Sequence, residues 1–360
     1  MRTALAPLLA AIRPLAEEPV RLMEVCGGQT HAILHYGLDT LLPAPLELLH
    51  GPGCPVCVTP ASYLDHAIAI ARHSETVLCT FGDLLRVPSG ASGDLYAAKA
   101  AGADVRIVLS PLHALDVAKE NPARQVVLLA IGFETTAPAN ALAIHLAKER
   151  RLSNFSALVS HFLVPPILRH ICAEPAETPD GFLAAGHVCA VTGAKDYAAL
   201  AAELHTPIAI TGFAPEEILY GILRVLQLRS AGQNEMANAY AAVVRPEGNP
   251  AAKDMIRRIF EPADREWRGL GLIPDSGLTL RPAYAEWDAA HRFPMPSLPA
   301  VERPATPEAG CPAAEVLLGR LSPPDCPHFG TTCSPDAPRG APMVSPEGAC
   351  AAFFLNRRDS

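Results

Sequence analysis

Cysteine is the residue type in this sequence whose surroundings most clearly suggest chemistry. The stretch MEVCGGQTH places Cys26 after an apolar run, follows it with Gly27 and Gly28, and puts His31 five positions further on. Glycines allow a tight turn and leave room around the sulfur, while the start of a following helix favours thiolate over thiol. We therefore expect Cys26 to be a thiolate in an open pocket that binds a metal or attacks an electrophile, with His31 as a second candidate catalytic residue. The alternative interpretation is a small apolar residue that ends a strand.

A second motif, GPGCPVC, contains Cys54 and Cys57 in a C-x-x-C arrangement with an internal proline. At a strand-to-helix turn this is the geometry of dithiol redox motifs, in which the helix start lowers the pKa of the first sulfur and the second resolves the mixed disulfide. The same pair would also serve as half of a zinc site. No second C-x-x-C follows at zinc-ribbon spacing, which favours redox chemistry over structural zinc.

The C-terminal tail is also rich in cysteine. It follows the segment RFPMPSLPAVERPATPEAGCP, which is crowded with proline and lacks periodicity, as a linker or extended segment would be. Thiols in a tail with little core of its own indicate a bound cluster or ion, and the softness of the donors favours an iron-sulfur cluster over zinc. The candidate ligands are spaced 15, 7 and 17 residues apart: Cys311, Cys326, Cys333 and Cys350.

Polar residues follow several other apolar segments of the chain. Glu134 and Thr135 come after IGF, while His161 and His187 come after FSALVS and GFLAAG. Ligands gather at the carboxyl ends of parallel strands, so we expect Glu134, Thr135 and His187 to contact a ligand bound near Cys26. Threonine at a helix start and histidine at a strand end also have ordinary structural uses. Three further cysteines in apolar segments are expected to be inert core thiols: Cys79, Cys172 and Cys189.

The elements that must position these residues follow a βαβ rhythm. Apolar segments predict strands at RLMEV, LELLH, TVLCTF, VRIVLS, QVVLLAI, FSALVS, GFLAAG and PIAITGF. Helix-length segments between them cover residues 60–72, 95–101, 138–150 and 215–228. This alternation predicts an α/β fold with two doubly wound parallel-sheet domains plus a small C-terminal iron-sulfur domain. We place them at residues 1–140, with Cys26 and the C-x-x-C motif, 141–290, and 291–360.

Composition narrows the class of protein further. Of 360 residues, 49% are hydrophobic and 18% are charged, which is typical of a globular chain. The formal charge of −8 is spread without long runs, so we expect neither nucleic acid nor a membrane surface as a partner. The first residues, MRTALAPLLAAIRPLAEEP, predict an amphipathic helix rather than a signal peptide. Ten cysteines without an export signal predict a reducing, cytoplasmic location.

Ten motifs together resemble those of the HypD family of nickel-iron hydrogenase maturation factors. In order they are MEVCGGQTHAI, HGPGCPVCVTP, FGDLLRVP, AIGFETTAPANA, LVSHFLVPP, FLAAGHVCAVTG, EGNP, WRGLGLIPDSGL, DCPHFGTTC and MVSPEGACAA. They span nearly the whole chain, and several are long and specific.

The resemblance implies a particular task for each group of cysteines. Proteins of this family have two α/β domains and a third that carries a 4Fe-4S cluster, and they act with the small protein HypC as a scaffold for the Fe(CN)2CO group. On this chain, Cys26 would hold the iron together with a cysteine of the partner. Cys54 and Cys57 would relay electrons from the cluster held by the tail cysteines. Cyanide would arrive from HypE, which receives its carbamoyl group through HypF.

The tail departs from the family pattern at two positions. Ala313 and Pro342 stand where the family often has cysteine, which leaves four tail thiols to bind a cluster. The implied protein is a redox-active scaffold without ordinary substrate turnover. The alternative functions are a general thiol-disulfide oxidoreductase that uses Cys54 and Cys57, and a zinc-stabilised binding module.

Overall fold

The chain forms two β-sheets that are surrounded by helices. Its structure is a computed structural model that describes residues 2–90, 92–295 and 310–356. The strands in this part are β1 (Val20–Glu24), β2 (Leu46–His50), β3 (Thr76–Thr80), β4 (Val105–Ile107), β5 (Gln125–Gly132), β6 (Phe155–Phe162), β7 (Gly181–Ala185), β8 (Ile208–Thr211), β9 (Met236–Asn238), β10 (Phe260–Trp267) and β11 (Gly271–Leu280).

Helices connect most of these strands. They are α1 (Arg2–Ile12), α2 (Gly27–His35), α3 (Pro55–Val58), α4 (Ala61–Ala71), α5 (Leu95–Ala100), α6 (Pro111–Glu120), α7 (Ala137–Glu149), α8 (Val164–Ile171), α9 (Gly186–Thr192), α10 (Ala194–Leu204), α11 (Pro215–Ser230), α12 (Pro250–Ile259), α13 (Ala289–Arg292), α14 (Ala313–Leu317) and α15 (Ala349–Asn356). Short 3-10 helices cover Arg13–Leu15, Gly82–Arg86, Pro282–Trp287, Pro323–Asp325 and Ala341–Met343. In the described part of the chain, no helix combines the length and apolar character that crossing a membrane requires.

The first sheet is parallel throughout and has the strand order β2-β1-β7-β8-β9. Every residue of β7 and β8 is buried, as expected for parallel strands that are covered on both faces. Apolar residues of α1 and α11 pack together on one face, with Ile12 and Ile222 fully buried. On the other face, Val188 of α9 and Leu200 of α10 join a second core cluster.

The second sheet has the order β10-β11-β6-β5-β3-β4. Its four strands β3 to β6 are parallel, and the hairpin β10–β11 adds to them by antiparallel pairing of β11 with β6. Helices α6, α7 and α12 cover one face, and α4 covers the other. The two sheets share one core cluster, which includes Met23 and Phe182 of the first sheet and Phe162 and Ile273 of the second.

The predicted α/β class with mainly parallel sheets is confirmed, and the eight predicted strands correspond to β1 to β8. The domain boundary at residue 140 does not coincide with the division between the sheets. Residues 1–140 and 141–290 each contribute strands to both sheets, because β1 and β2 pair with β7 to β9 while β3 to β6 form the other sheet. The chain starts the first sheet with β1 and β2, builds β3 to β6 of the second, returns to complete the first with β7 to β9, and ends the second with β10 and β11.

The tail lies against the first sheet. Helix α15 packs against α2 through Leu34 and Phe353, and the 3-10 helix Ala341–Met343 packs against α3. Part of the predicted proline-rich segment, residues 296–309, lies outside the described residues. The described tail therefore packs against the helices that follow Cys26 and that contain the C-x-x-C motif.

This interleaving predicts that a fragment of residues 1–140 will not fold as an independent domain. In such a fragment β1 lacks its neighbour β7, and the apolar face of α1 lacks α11. We expect no cooperative urea transition and rapid proteolysis, while the full chain unfolds cooperatively. A stable fragment with protected amide hydrogens would instead establish the boundary at residue 140.

Candidate functional site

Cys26 lies where the sequence predicts it, directly after β1 and at the N-cap of α2. Its backbone is extended, with φ −153° and ψ 116°, so the chain turns from strand to helix at this residue. The sulfur lies 3.8 Å from Nδ1 of His187, which is at the carboxyl end of the neighbouring strand β7. The expected meeting of Cys26 and His187 at the sheet edge is therefore present.

The expectation of an open-pocket thiolate at Cys26 is wrong for this conformation. The residue is only 2% exposed, and burial raises the pKa of its thiol far above the usual value. The negative charges of Glu24 and Glu347 raise this pKa further, whereas the backbone N–H groups of Gln29 and Gly28 lower it. Desolvation outweighs the helix start, so the sulfur is a protonated thiol at neutral pH.

A buried carboxylate lies beneath the Cys26 turn, and the sequence analysis missed it. Glu24 is fully buried and accepts a hydrogen bond from the backbone N–H of Cys26 at 2.7 Å. Its other oxygen accepts from the Thr30 hydroxyl and pairs with Nδ1 of His50 at 2.8 Å. A lone acidic residue in an apolar strand immediately before the cysteine is the signal that could have identified it.

The glycines after Cys26 serve two different contacts. A Cβ on Gly28 would lie 3.1 Å from the Phe213 ring and 3.7 Å from the Cys26 sulfur, so Gly28 allows the Phe213 ring to pack close to the thiol. A Cβ on Gly27 would lie 2.6 Å from Cβ of Glu347, so Gly27 allows the tail to approach. The sequence predicted open space around the sulfur, but Phe213 and Glu347 occupy the space beside the two glycines.

The C-x-x-C motif forms a disulfide beside Cys26. Cys54 caps α3 and accepts a hydrogen bond from the backbone N–H of Cys57 at 3.2 Å, and the two Cα atoms are 5.2 Å apart. Both cysteines are almost fully buried. The preceding loop touches the Cys26 turn directly, since the N–H of Gly27 donates to the carbonyl of Gly53 at 3.2 Å. The bonded pair has the oxidised form that a dithiol redox motif adopts.

The four tail thiols line one cavity whose walls are mostly apolar. A Cβ on Gly340 would lie 2.5 Å from the Cys311 sulfur, so this glycine opens space for the thiol. Burial raises the pKa of Cys350 strongly, and the three other tail thiols raise it further. Within the described residues, no three or more Cys, His, Asp or Glu side chains are close enough to hold a single metal ion. Four soft donors around one cavity still fit a cluster, because its ligands stand further apart than those of one ion.

One short element separates this cavity from the disulfide. Pro342 and Met343 of the 3-10 helix line the cavity, while Ala341 belongs to the buried cluster that contains Cys54 and Cys57. The same helix packs against α3. The cavity, the disulfide and the Cys26 turn are thus consecutive neighbours in space, although they come from three separate parts of the sequence.

Glu134 is buried between the two sheets. Its Oε1 accepts a hydrogen bond from the N–H of Val164 at 2.9 Å, and burial raises its pKa to about 7. Thr135 is half-buried next to it. His161 is fully buried and bonds to Gly132 and Asn140, and burial lowers its pKa to about 4. His161 therefore belongs to the core of the second sheet.

His31, His187 and three further cysteines are the remaining candidates. His31 is half-buried on α2, and its ring stacks on His35 with centroids 5.6 Å apart. The ring of His187 packs against that of Phe213, and burial lowers the pKa of His187. Burial raises the pKa of the Cys79 thiol to about 12 and that of Cys172 to about 11. It also raises the pKa of Cys189.

The fold and site define an α/β protein with three groups of cysteines around one edge of a parallel sheet. Residues 3–357 match the protein-family model HypD, described as the Hydrogenase formation hypA family. The chain is 46% identical over 345 residues to Hydrogenase maturation factor HypD of Escherichia coli (strain K12), covering 95% of this chain and 91% of that protein. It is 45% identical over 352 residues to Hydrogenase maturation factor HypD of Rhodobacter capsulatus, covering 97% and 93% respectively. The chain therefore belongs to the HypD family.

The contact between Gly27 and the tail predicts the effect of a single methyl group. Gly27→Ala would force the segment around Glu347 away from α2, and we expect a loss of about 1–3 kcal/mol in unfolding free energy, as for other overpacked sites. Urea unfolding and limited proteolysis of the tail measure this effect. Gly82→Ala is the matched control, because a Cβ there meets no heavy atom within 4 Å. Equal behaviour of the two variants would contradict the proposed packing.

The raised pKa of Glu134 predicts a pH-dependent effect of Glu134→Gln. The stability that Glu134 contributes is lost as pH rises from about 4.5 to about 7, because its carboxyl ionises in the unfolded chain but stays protonated in the fold, and an amide does not ionise. Relative to wild type, we expect the variant to gain up to about 3 kcal/mol at pH 8 compared with pH 4. Urea unfolding of both proteins at the two pH values tests this, since contributions from His161 cancel in the difference. A difference independent of pH would contradict it.

Proposed function

We propose that this chain is a hydrogenase maturation scaffold on which the Fe(CN)2CO group of nickel-iron hydrogenases is assembled together with a small HypC-like partner. Membership of the HypD family supports the general role, since relatives in this family are named hydrogenase maturation factors. The observation that carries the detailed proposal is the contact of the Cys26 turn with both the disulfide loop and the tail. Each of the three groups of thiols then has its own proposed task and lies next to the following group.

Cys26 is the proposed thiolate ligand of the iron cargo, shared with a cysteine of the partner. Its high pKa means that a proton must leave the sulfur when the iron binds, because metal ligands must be deprotonated. His187 Nδ1, which lies 3.8 Å from the sulfur, is the proposed acceptor of that proton. Glu24 fixes the turn by holding the Cys26 N–H.

Cys54 and Cys57 are the proposed electron relay. Reduction of their disulfide takes up two electrons, breaks the S–S bond and gives two sulfurs, each a thiol or a thiolate, next to the Cys26 turn. Cys311, Cys326, Cys333 and Cys350 would hold a 4Fe-4S cluster, which supplies one-electron chemistry when bound. The buried 3-10 helix Ala341–Met343 contacts both sites, so the proposed path of the electrons runs through protein rather than through water.

The remaining residues complete the proposed environment of the iron group. His187 lies at the mouth of the Cys26 site, and Glu134, Thr135 and His31 are proposed to contact the iron group or the partner during assembly. Cyanide would come from a HypE-like donor protein. We propose a cytoplasmic location and assembly without ordinary small-molecule turnover.

The alternative, a general thiol-disulfide oxidoreductase, receives less support from the geometry. Exchange requires a thiolate of the substrate protein to reach one sulfur of the disulfide. Cys54 and Cys57 are 3% and 0% exposed, so a large substrate has no direct access to them. A relay between neighbouring internal sites needs no such access.

The proposal predicts that Cys26→Ala abolishes iron loading and leaves the tail site intact. The protein is copurified with its small partner without oxygen and examined by infrared spectroscopy. We expect cyanide and carbon monoxide bands in the wild-type complex and at least a tenfold loss of both in Cys26→Ala, with the brown colour of the cluster unchanged.

Cys172→Ala is the control, because Cys172 is a half-buried thiol outside the site. It should keep both the bands and the colour. Infrared bands that persist in Cys26→Ala would refute the role of Cys26, and a colourless wild-type protein that contains zinc would refute the cluster.

A further inference from the structure

We propose that Arg268 is a positioning residue for the Cys54–Cys57 disulfide and that it raises the reduction potential of this pair. The inference deepens the proposed function and rests on its claim that the disulfide carries electrons. It concerns a residue that belongs to the other sheet, in the turn between β10 and β11.

Arg268 forms hydrogen bonds with the end of the helix that carries Cys57. Its backbone N–H donates to the carbonyl of Val58, the last residue of α3, at 2.8 Å, and its Nε donates to the carbonyl of Thr59 at 2.5 Å. Its Nη1 and Nη2 donate to the carbonyl of Pro88 at 3.2 and 3.3 Å. One side chain therefore ties the residues immediately after Cys57 to a second loop.

The hairpin that presents Arg268 is itself rigidly anchored. Trp267 is fully buried, its ring lies 4.8 Å from that of Phe162, and its Nε1 donates to the Ser276 hydroxyl at 2.8 Å. At the next residue of the turn, Gly269 has a φ of +75°, and a Cβ there would lie 3.0 Å from Ala314 of the tail helix α14. The turn thus lies between the second sheet, the disulfide helix and the tail.

The guanidinium of Arg268 lies against the carbonyl of Thr59, two residues after Cys57. The side chain is 6% exposed, so its positive charge is weakly screened at the end of a four-residue helix that contains Cys57. Reduction by two electrons breaks the S–S bond and gives one thiol, by uptake of one proton, and one thiolate, which a nearby cation stabilises. The guanidinium should therefore favour the reduced pair, which makes the disulfide a better electron acceptor.

The test is a redox titration of the purified full-length chain against mixtures of reduced and oxidised dithiothreitol. Dithiothreitol supplies two electrons and becomes a cyclic disulfide, and the state of Cys54 and Cys57 is read by acid quenching, alkylation and mass spectrometry. We expect Arg268→Gln to lower the equilibrium constant for reduction about tenfold, which is about 30 mV for two electrons. Arg268→Lys, which keeps the charge, should recover most of this loss.

Arg292→Gln is the matched control. Arg292 also donates to backbone carbonyls, those of Phe155 and Glu286, but it lies on α13, and these carbonyls belong to β6 and to the 3-10 helix Pro282–Trp287. It should leave the potential unchanged, so a general loss of stability cannot account for the shift. Arg268→Met is the second variant, because it removes the charge and the guanidinium hydrogen bonds while keeping a side chain of similar length. It should show the same shift as Arg268→Gln.

A potential that is equal in wild type, Arg268→Gln and Arg268→Met would overturn the inference, as would an equal shift in Arg292→Gln. The outcome is independent of iron assembly, because the titration needs neither partner nor cargo. A tenfold shift together with normal infrared bands in Cys26→Ala would support the role of Arg268 and refute the proposed iron ligand. The reverse pattern would refute only the role of Arg268.

Discussion

The contact between the Cys26 turn and the loop that follows β2 is the constraint on which the site depends. Parallel pairing of β1 with β2 sets Glu24 opposite His50, so the two strands end at the same level. The loop after β2 can then approach the backbone of Cys26, and it does so at Gly53, where a side chain would collide with that backbone. The thiol of Cys26 and the disulfide that follows Gly53 are neighbours because of this strand register.

The buried Glu24 adds a second constraint to the same turn. An isolated carboxylate in the core is strongly unfavourable, but Glu24 has three hydrogen-bond donors, from Cys26, Thr30 and His50. Its charge also helps to keep the neighbouring thiol protonated. These hydrogen bonds hold the turn in place. The sulfur of Cys26 stays an unreactive thiol until its proton is displaced. Such a resting state agrees with the proposed role as a scaffold, since a free thiolate would be open to oxidation.

The sequence predicted the local features of this fold better than its long-range ones. Apolar runs of Val, Ile and Leu revealed β1 to β8, but β10 has the sequence FEPADREW, in which charged residues and a proline conceal a half-exposed strand. The hairpin that carries Trp267 and Arg268 was therefore missed. The interleaving of the sheets was also missed, because strand pairing over more than 150 residues leaves no local pattern. The pKa of Cys26 was predicted with the wrong sign, since burial by distant segments such as those of Phe213 and Glu347 outweighs the local helix start.

The central claim is that the tail cavity, the disulfide and Cys26 form one connected redox site. Anomalous diffraction at the iron edge, from crystals grown without oxygen after supply of iron and sulfide, tests it most directly. The account predicts iron density enclosed by Cys311, Cys326, Cys333 and Cys350, one 3-10 helix away from Cys54 and Cys57. An iron-free cavity, or a tail that lies away from α2 and α3 in those crystals, would contradict it.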